Sequence, residues 1–439
     1  MFRTFCLLFS TCIAGCATHA ARLHEAREAY FSGDLDRATS LLDEHAHGDE
    51  RDRDCLLLDE AVVAFAKGDP RRSEQLLRGV RDRFDYLQQK SLAESTVSLL
   101  TDDTHAAYAG EDYERVLLRV LLAFSSLMQD GTDAVAYCLQ VDQEQREIIQ
   151  RGIAGAAENP QPAYQHVAVG AYLRGIMQEA THRNYDDAER AFATVAAWEP
   201  GFAPARFDLA RAQTGAHSTA GNGVVYVFAF VGRGPYKEER VAEATSGALL
   251  IADNLLSAAG DHTLPPTIAP VKIPEVVLPL NNVDAVAVDI DGQPAGLTQT
   301  ITDVGCLAVS QFEAKRDHVL ARAVARRAIK KAAIYSSKDA LDVQRGAANL
   351  ALDAVGILWE ATEAADTRCW GLLPEKIQVL RIELPAGEHT LALRAANASR
   401  PLGPAYAAAI EVADGRNAYV LASFPGQRLV GNVLVSRWR

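Results

Sequence analysis

Hydrophobic residues recur at helical spacing through the first half of the chain, over residues 21–213. Apolar positions three and four residues apart form one face of an amphipathic helix. The stretch is almost free of proline until Pro160. The pattern therefore predicts a series of helices, including an extra one around residues 88–100 and a closing one over residues 202–212.

These helices repeat. Two small residues and an aromatic residue precede a Gly-Asp pair twice, 35 residues apart: Ala26, Ala29, Tyr30 and Gly33-Asp34, then Ala61, Ala64, Phe65 and Gly68-Asp69. Small residues let two helices pack closely, and Gly-Asp predicts the turn between them. Further units surround Gly131 and residues 172–200. The spacing resembles that of tetratricopeptide repeats; a plain helical bundle is the alternative.

The helical spacing of hydrophobic residues ends at residues 214–223, which we interpret as a linker. An unbroken apolar run over 224–231 predicts a buried strand. The charged residues 237–240 predict the start of a helix. The five prolines of 262–279 predict extended chain. A strand over 285–290 leads into the Asp291-Gly292 turn. Two amphipathic helices follow, and then four strands joined by hairpin turns: helices 307–335 and 344–365, strands 378–384, 390–395, 408–412 and 418–424.

The predicted fold is a tetratricopeptide-like helical array followed by a smaller α+β domain with a β-rich, sandwich-like C-terminus. The divisions are a signal peptide at 1–15, the repeat domain at 16–213, the linker at 214–223 and the α+β domain at 224–439. The tail resembles small β-sandwich modules of bacterial surface proteins that carry a leucine-proline-x-glycine turn, here at residues 384–387.

The N-terminus combines Arg3, an apolar stretch over 5–12 and Ile13-Ala14-Gly15-Cys16. It resembles the bacterial lipobox, which implies cleavage before Cys16 and acylation of its thiol. Ala17 is not the aspartate associated with inner-membrane retention, so we expect attachment to the outer membrane, facing the periplasm. An ordinary cleaved signal peptide or a buried N-terminal helix are the alternatives.

Composition adds a charge asymmetry. The net charge of −13 lies almost wholly in residues 1–220, with 34 acidic and 22 basic residues against 23 and 22 in the remainder. Nucleic acid is not an expected partner, because phosphate binding requires a basic face. One basic run, which includes Lys315 and Arg316, is by default a solvated helix face. Its possible contacts are anionic lipid, an acidic partner or the acidic first half of the same chain.

Four cysteines remain beyond Cys16, and they are too far apart in sequence for a zinc motif: Cys55, Cys138, Cys306 and Cys369. We expect buried free thiols rather than a disulfide framework. No cofactor or metal is predicted. Asp289-x-Asp291-Gly292 lacks the remaining ligands of a calcium loop and is read as a hairpin turn.

Three further segments resemble a family of bacterial envelope lipoproteins with tetratricopeptide-like N-terminal repeats: residues 110–115, 232–240 and 361–374. The resemblance implies location and architecture, and it implies no activity.

No catalytic constellation is recognised, so we expect a non-enzymatic, membrane-anchored lipoprotein that acts as a protein-binding scaffold or assembly factor in the envelope. Repeat arrays present a concave surface suited to that role. The residues expected on the binding face are Tyr108, Glu111, Asp112, Tyr113 and Arg115.

Two alternatives remain. One is an envelope enzyme with an acidic site at 363–368, where Glu363 and Asp366 could do acid–base chemistry beside Arg368; a structural turn is the competing interpretation of these charges. The other is a sensor of cell-wall ligands that uses the C-terminal domain.

Overall fold

A computed structural model of the chain describes residues 18–46, 50–93, 107–154, 164–259, 264, 269–340 and 364–436. Cys16, Glu363 and most of the predicted helix 344–365 lie outside these residues. In the first half the described chain forms nine α-helices: α1 (His19–Ser32), α2 (Leu35–Ala46), α3 (Arg53–Ala66), α4 (Pro70–Ala93), α5 (Asp112–Leu127), α6 (Ala134–Ala154), α7 (Ala168–Glu179), α8 (Tyr185–Trp198) and α9 (Pro204–Gln213).

Each of these helices packs against the next one along the chain. The first two helix pairs share one turn geometry. Gly33 and Gly68 have φ of 89° and 88°, the left-handed region that glycine enters without steric cost. The aspartate after each glycine then caps the following helix, because its Oδ1 accepts a backbone N–H three residues on, at 3.1 Å for Asp34 and 2.9 Å for Asp69. The predicted Gly-Asp turns are confirmed; membership in the tetratricopeptide class stays a prediction.

The second half is β-rich. Its strands are β1 (Asn222–Arg233), β2 (Tyr236–Ala242), β3 (Val271–Val277), β4 (Ala285–Ile290), β5 (Gln293–Leu297), β6 (Gln299–Asp303), β7 (Pro374–Pro385), β8 (Gly387–Asn397), β9 (Arg400–Pro401), β10 (Tyr406–Val412), β11 (Asn417–Phe424) and β12 (Val430–Val435). Within the described residues two helices interrupt them: α10 (Ser246–Ala259) and α11 (Val304–Ala340).

The strands form a central sheet in the order β12-β11-β1-β7-β6 and an outer sheet in the order β10-β8-β4-β5, with β9 on β8. β1 pairs parallel with β11 and antiparallel with β7. The third sheet is the β2–β3 hairpin. Strand β2 corrects one prediction: the charged residues 237–240 form a strand rather than a helix start, because they pair with β3 from Lys237 opposite Val276 to Arg240 opposite Ile273.

The central sheet is the middle of three layers. Alternate residues of β1 face the helices (Val224, Tyr226, Phe228 and Phe230), and the intervening ones face the outer sheet (Val225, Val227, Ala229 and Val231). A strand buried on both faces reads as a continuous apolar run, as the sequence predicted for residues 224–231.

The helices that contact the central sheet are the first of each pair. Phe65 of α3 stacks on Phe230, the ring of Phe124 in α5 lies 5.0 Å edge-to-face from Phe228, and Tyr172 of α7 meets Tyr226 at 6.3 Å between ring centroids. The face of the helical layer that is formed by the first helix of each pair is therefore covered by the chain's own central sheet. The edge-to-face ring pairs add to the burial that holds the layers together.

The connection between the two halves is also packed. His217, in the predicted linker, is buried, and its Nε2 lies 2.7 Å from Oδ1 of Asn417 at the start of β11. Asp291 and Gly292 have φ of 50° and 76° between β4 and β5, so the predicted two-residue hairpin is confirmed.

Candidate functional site

The five residues expected on a binding face lie where the N-terminal end of α5 meets the second half of the chain. Four of them are buried, Tyr108, Asp112, Tyr113 and Arg115, and Glu111 is half-buried. All sixteen residues of α5 are buried, including its charged ones. Contact between these five side chains and a partner would require this junction, which we call the α5 junction, to open.

Ion pairs join the two halves at the α5 junction. Lys237 of β2 pairs with Glu111, and Lys315 of α11 donates from Nζ to Asp112 Oδ2 at 2.8 Å. The charge of Lys237 lowers the pKa of Glu111 to about 2. The basic run of α11 thus meets the acidic first half of its own chain at Lys315, which was one of the three roles the sequence allowed.

Glu114 is the most deeply placed acid of the junction, with 0 % of its surface exposed. Its carboxylate accepts the backbone N–H of Glu111 at 3.0 Å and that of Trp370 at 2.8 Å, together with the hydroxyls of Tyr108 and Tyr113. Burial raises the pKa of this carboxyl. Because the bond to Trp370 joins residues far apart in sequence, Glu114 fixes the segment before β7 onto α5.

A chain of buried ion pairs continues from the junction through the helical layer. Arg115 contacts Asp112 and, at 3.0 Å, Glu144 of α6. Arg119 joins the same Glu144, at 3.0 Å, to Asp85 of α4, at 2.6 Å. Since each of these five charged side chains has a partner of opposite sign, the series of ion pairs avoids the cost of an isolated buried charge.

The series of ion pairs ends in a cleft of about 730 Å³ between α4 and α6, which we call the glutamine cleft. Amide, guanidinium and carboxylate groups line it: Gln88, Gln89, Gln140, Gln143, Gln150, Arg81, Arg119, Arg151, Asp82, Asp85, Glu144 and Glu147. Sequence reasoning missed this site. The signal was the density of glutamine on two helices already predicted, at residues 88–89 and 140–150.

The acidic cluster considered for an enzyme has a structural arrangement. Arg368 binds Asp366 through two parallel hydrogen bonds, from Nε to Oδ1 at 2.8 Å and from Nη2 to Oδ2 at 2.7 Å. Nη1 of Arg368 donates to the carbonyl of Arg51, and the guanidinium lies over the ring of Tyr108. A bidentate pair of this kind fixes a turn. The structural interpretation of Asp366 and Arg368 is supported, and Glu363 lies outside the described residues.

A second cleft, of about 470 Å³, lies between α1 and the β2–β3 hairpin, and we call it the α1 cleft. Arg27 and Gly371 line it, and Asp59 of α3 lies behind Arg27, with Nε to Oδ2 at 3.8 Å. Burial raises the pKa of Asp59 to about 6. A side chain at position 371 would collide with the guanidinium, because a Cβ there would lie 2.0 Å from Arg27 Nε.

The raised pKa of Asp59 predicts a pH effect on stability. A carboxyl whose pKa is higher in the folded than in the unfolded state binds a proton on folding, so its contribution to stability falls as pH rises from about 4 through 6. Relative to an Asp59→Asn variant, the wild-type free energy of unfolding should fall by up to roughly 3 kcal/mol over that range. Denaturant unfolding of both proteins at several pH values measures this. A difference that is constant with pH would show that Asp59 has an ordinary pKa.

The remaining candidate chemistry is sparse in the described residues. Cys55, Cys138 and Cys369 are buried free thiols, as predicted, and Cys306 is free and exposed. Nowhere in the described ranges do three or more histidine, cysteine, aspartate or glutamate side chains converge as metal ligands would. None of the described helices combines the length and apolar content needed to cross a bilayer.

Comparison of the chain with protein-family models, with curated proteins and with solved structures gave no match in any of the three.

Proposed function

We propose that this protein is a non-enzymatic scaffold of the bacterial cell envelope, anchored through lipid on Cys16, that binds a protein partner in the glutamine cleft. The observation that carries the proposal is the cleft itself. Its volume of about 730 Å³ is that of a ligand-sized site, and its wall is built on α4 and α6, with Arg119 of α5 between them.

The chemistry of the wall suits an extended polypeptide segment. Glutamine amides both donate and accept hydrogen bonds, as the N–H and C=O groups of a peptide backbone do. Arginine and carboxylate groups beside them would select charged side chains of the partner. The face formed by the first helix of each pair is not available for this purpose, because the central sheet covers it.

Loss of partner capture tests the cleft. Gln89 and Gln143 are exposed in the cleft, and the double change to alanine should reduce in-cell crosslinking of the partner about tenfold, because it removes two sets of amide hydrogen bonds. Gln213→Ala, an exposed glutamine of α9 outside the cleft, is the matched control. Mass spectrometry of the crosslinked products provides the measurement.

Equal capture by the double variant and wild type would exclude the cleft as the binding surface. The enzyme alternative has its own test, an Asp366→Asn variant. If this variant folds and still captures the partner, but cells that carry it have the phenotype of a gene deletion, the enzyme alternative is favoured. Removal of a catalytic carboxylate abolishes chemistry without unfolding the protein.

The anchor has its own test. Cys16→Ser should leave the precursor unprocessed and free of lipid, because the hydroxyl does not replace the thiol that takes the acyl chain. Metabolic labelling with a fatty-acid probe should therefore mark the wild-type protein alone. Label on the Cys16→Ser variant, or its absence from wild type, would contradict the anchor.

A further inference from the structure

Arg27 in the α1 cleft is a buried cation with few partners. Its side chain is 8 % exposed. Within the described residues its hydrogen bonds come from Nη2 alone, to the carbonyl of Cys369 at 3.3 Å and to the thiol of the same residue at 3.8 Å. Nε has no hydrogen-bond partner, and the carboxylate of Asp59 at 3.8 Å is beyond hydrogen-bond range. Nε is itself buried and faces Asp59, so the donors that an anion in the cleft could reach are those of Nη1, which makes no hydrogen bond within the described residues.

The rim of the same cleft is acidic and aromatic. Glu28 and Glu238 line it, with Phe31 and Tyr236 beside them. Arg233 holds Glu28 at 2.7 Å while its guanidinium lies over the Phe31 ring, 4.6 Å from the centroid. The mouth carries three carboxylates, of Glu28, Glu238 and Glu239, against the one guanidinium of Arg233, and Glu238 also meets Arg240 at 3.3 Å. The cleft therefore places one buried positive charge at its floor and an excess of negative charge at its mouth. This distribution suits a ligand that carries both signs of charge, since a simple anion would be repelled at the rim.

We propose that the α1 cleft binds a compact zwitterion of the phosphoethanolamine kind, with its phosphate on Arg27 and its ammonium group on Glu28 and Glu238. The cleft volume of about 470 Å³ falls within the range of small-molecule sites. The guanidinium fork matches phosphate geometry, and carboxylates at the rim accept the ammonium protons.

The same chemistry has two sources, the free compound and a phosphatidylethanolamine head group. The lipid source rests on the proposed anchoring: Thr18 lines the cleft and follows Cys16 by two residues, so an acylated Cys16 would hold the cleft at the membrane surface.

Calorimetric titration of the full chain in non-ionic detergent tests the site with O-phosphoethanolamine as the probe. Glu28→Gln keeps the shape of the rim and removes one charge, so the dissociation constant should rise about tenfold. Glu25→Gln, on the outer surface of the same helix, should leave it unchanged. Arg27→Lys retains a charge opposite Asp59 but loses the planar fork, and it should weaken binding at least as much.

The proposal fails if O-phosphoethanolamine gives no heat at millimolar concentration, if Glu28→Gln and Glu25→Gln bind equally well, or if inorganic phosphate alone binds as tightly as the zwitterion. Competition separates the sources. Detergent micelles loaded with phosphatidylethanolamine that suppress the titration, when micelles loaded with phosphatidylglycerol do not, identify the head group as the ligand; no suppression identifies the free compound. Binding of the free compound does not depend on acylation, so failure of the anchor and failure of the site are distinguishable.

Discussion

Phe228→Ala is expected to lower the free energy of unfolding by about 3–5 kcal/mol, the usual cost of emptying an aromatic site in a close-packed interior. Phe228 lies on β1 between the two halves of the chain, and its ring meets that of Phe124 in α5. The cavity would open where the helices and the central sheet meet, so it should weaken both halves together. Thermal or urea unfolding, followed by circular dichroism, measures the loss.

The matched control is Phe207→Ala in α9, where the same ring is 75 % exposed. A surface substitution of this kind should change stability by no more than about 0.5 kcal/mol. If the two variants unfold alike, the helices and the central sheet do not share a core. If Phe228→Ala melts the helices and leaves the sheet folded, the two halves are independent domains.

Arg211→Met is expected to cost a similar amount, about 3–5 kcal/mol, because it leaves a buried carboxylate without its cation. Glu179 at the end of α7 is 0 % exposed, and Arg211 of α9 binds both of its oxygens, at 2.8 and 2.9 Å. The same guanidinium also binds Asp208 at 2.6 Å. Burial raises the pKa of Glu179 and the charge and hydrogen bonds of Arg211 oppose that rise, so the substitution removes the main group that stabilises the charged carboxylate.

Two variants separate this explanation from a loss of packing. Adding Glu179→Gln to Arg211→Met should restore part of the stability, since it removes the charge that the first change leaves unpaired. Arg190→Met removes a cation that is 70 % exposed in an ion pair with Asp187, and it should leave the stability close to that of wild type. An unchanged double variant would mean that Arg211 acts through its apolar stem.

Much of the local structure was predictable because each element carries its own signal. The apolar run of β1 and the Asp291-Gly292 hairpin were placed within two residues, and the Gly-Asp turns at Gly33 and Gly68 have the expected geometry. The prediction for residues 237–240 was wrong because their charges suit the start of a helix, whereas pairing with β3 decides their conformation. Strand propensity depends on such partners more than helix propensity does.

The candidate site was less predictable. Periodicity shows which face of a helix is apolar and does not show what covers that face. The charged residues at the start of α5 suggested an exposed surface, but the run that follows, Val116 to Phe124, is apolar almost all round, and a helix of that kind is buried. Glu114 and Arg115 are buried because partners from Trp370 and Glu144 reach them, and those contacts span distances in sequence that no local pattern encodes.

The position of β1 has a consequence for biosynthesis. Its two neighbours in the central sheet, β7 and β11, are made some 140 to 200 residues after it. At about 5–20 residues per second, a ribosome finishes the helices roughly 10–40 s before β11 exists. During that interval Phe65, Phe124 and Tyr172 have only the unpaired strand β1 to pack against, because β7 and β11 have not been made. We expect a nascent chain of this design to be prone to aggregation until its last strands arrive.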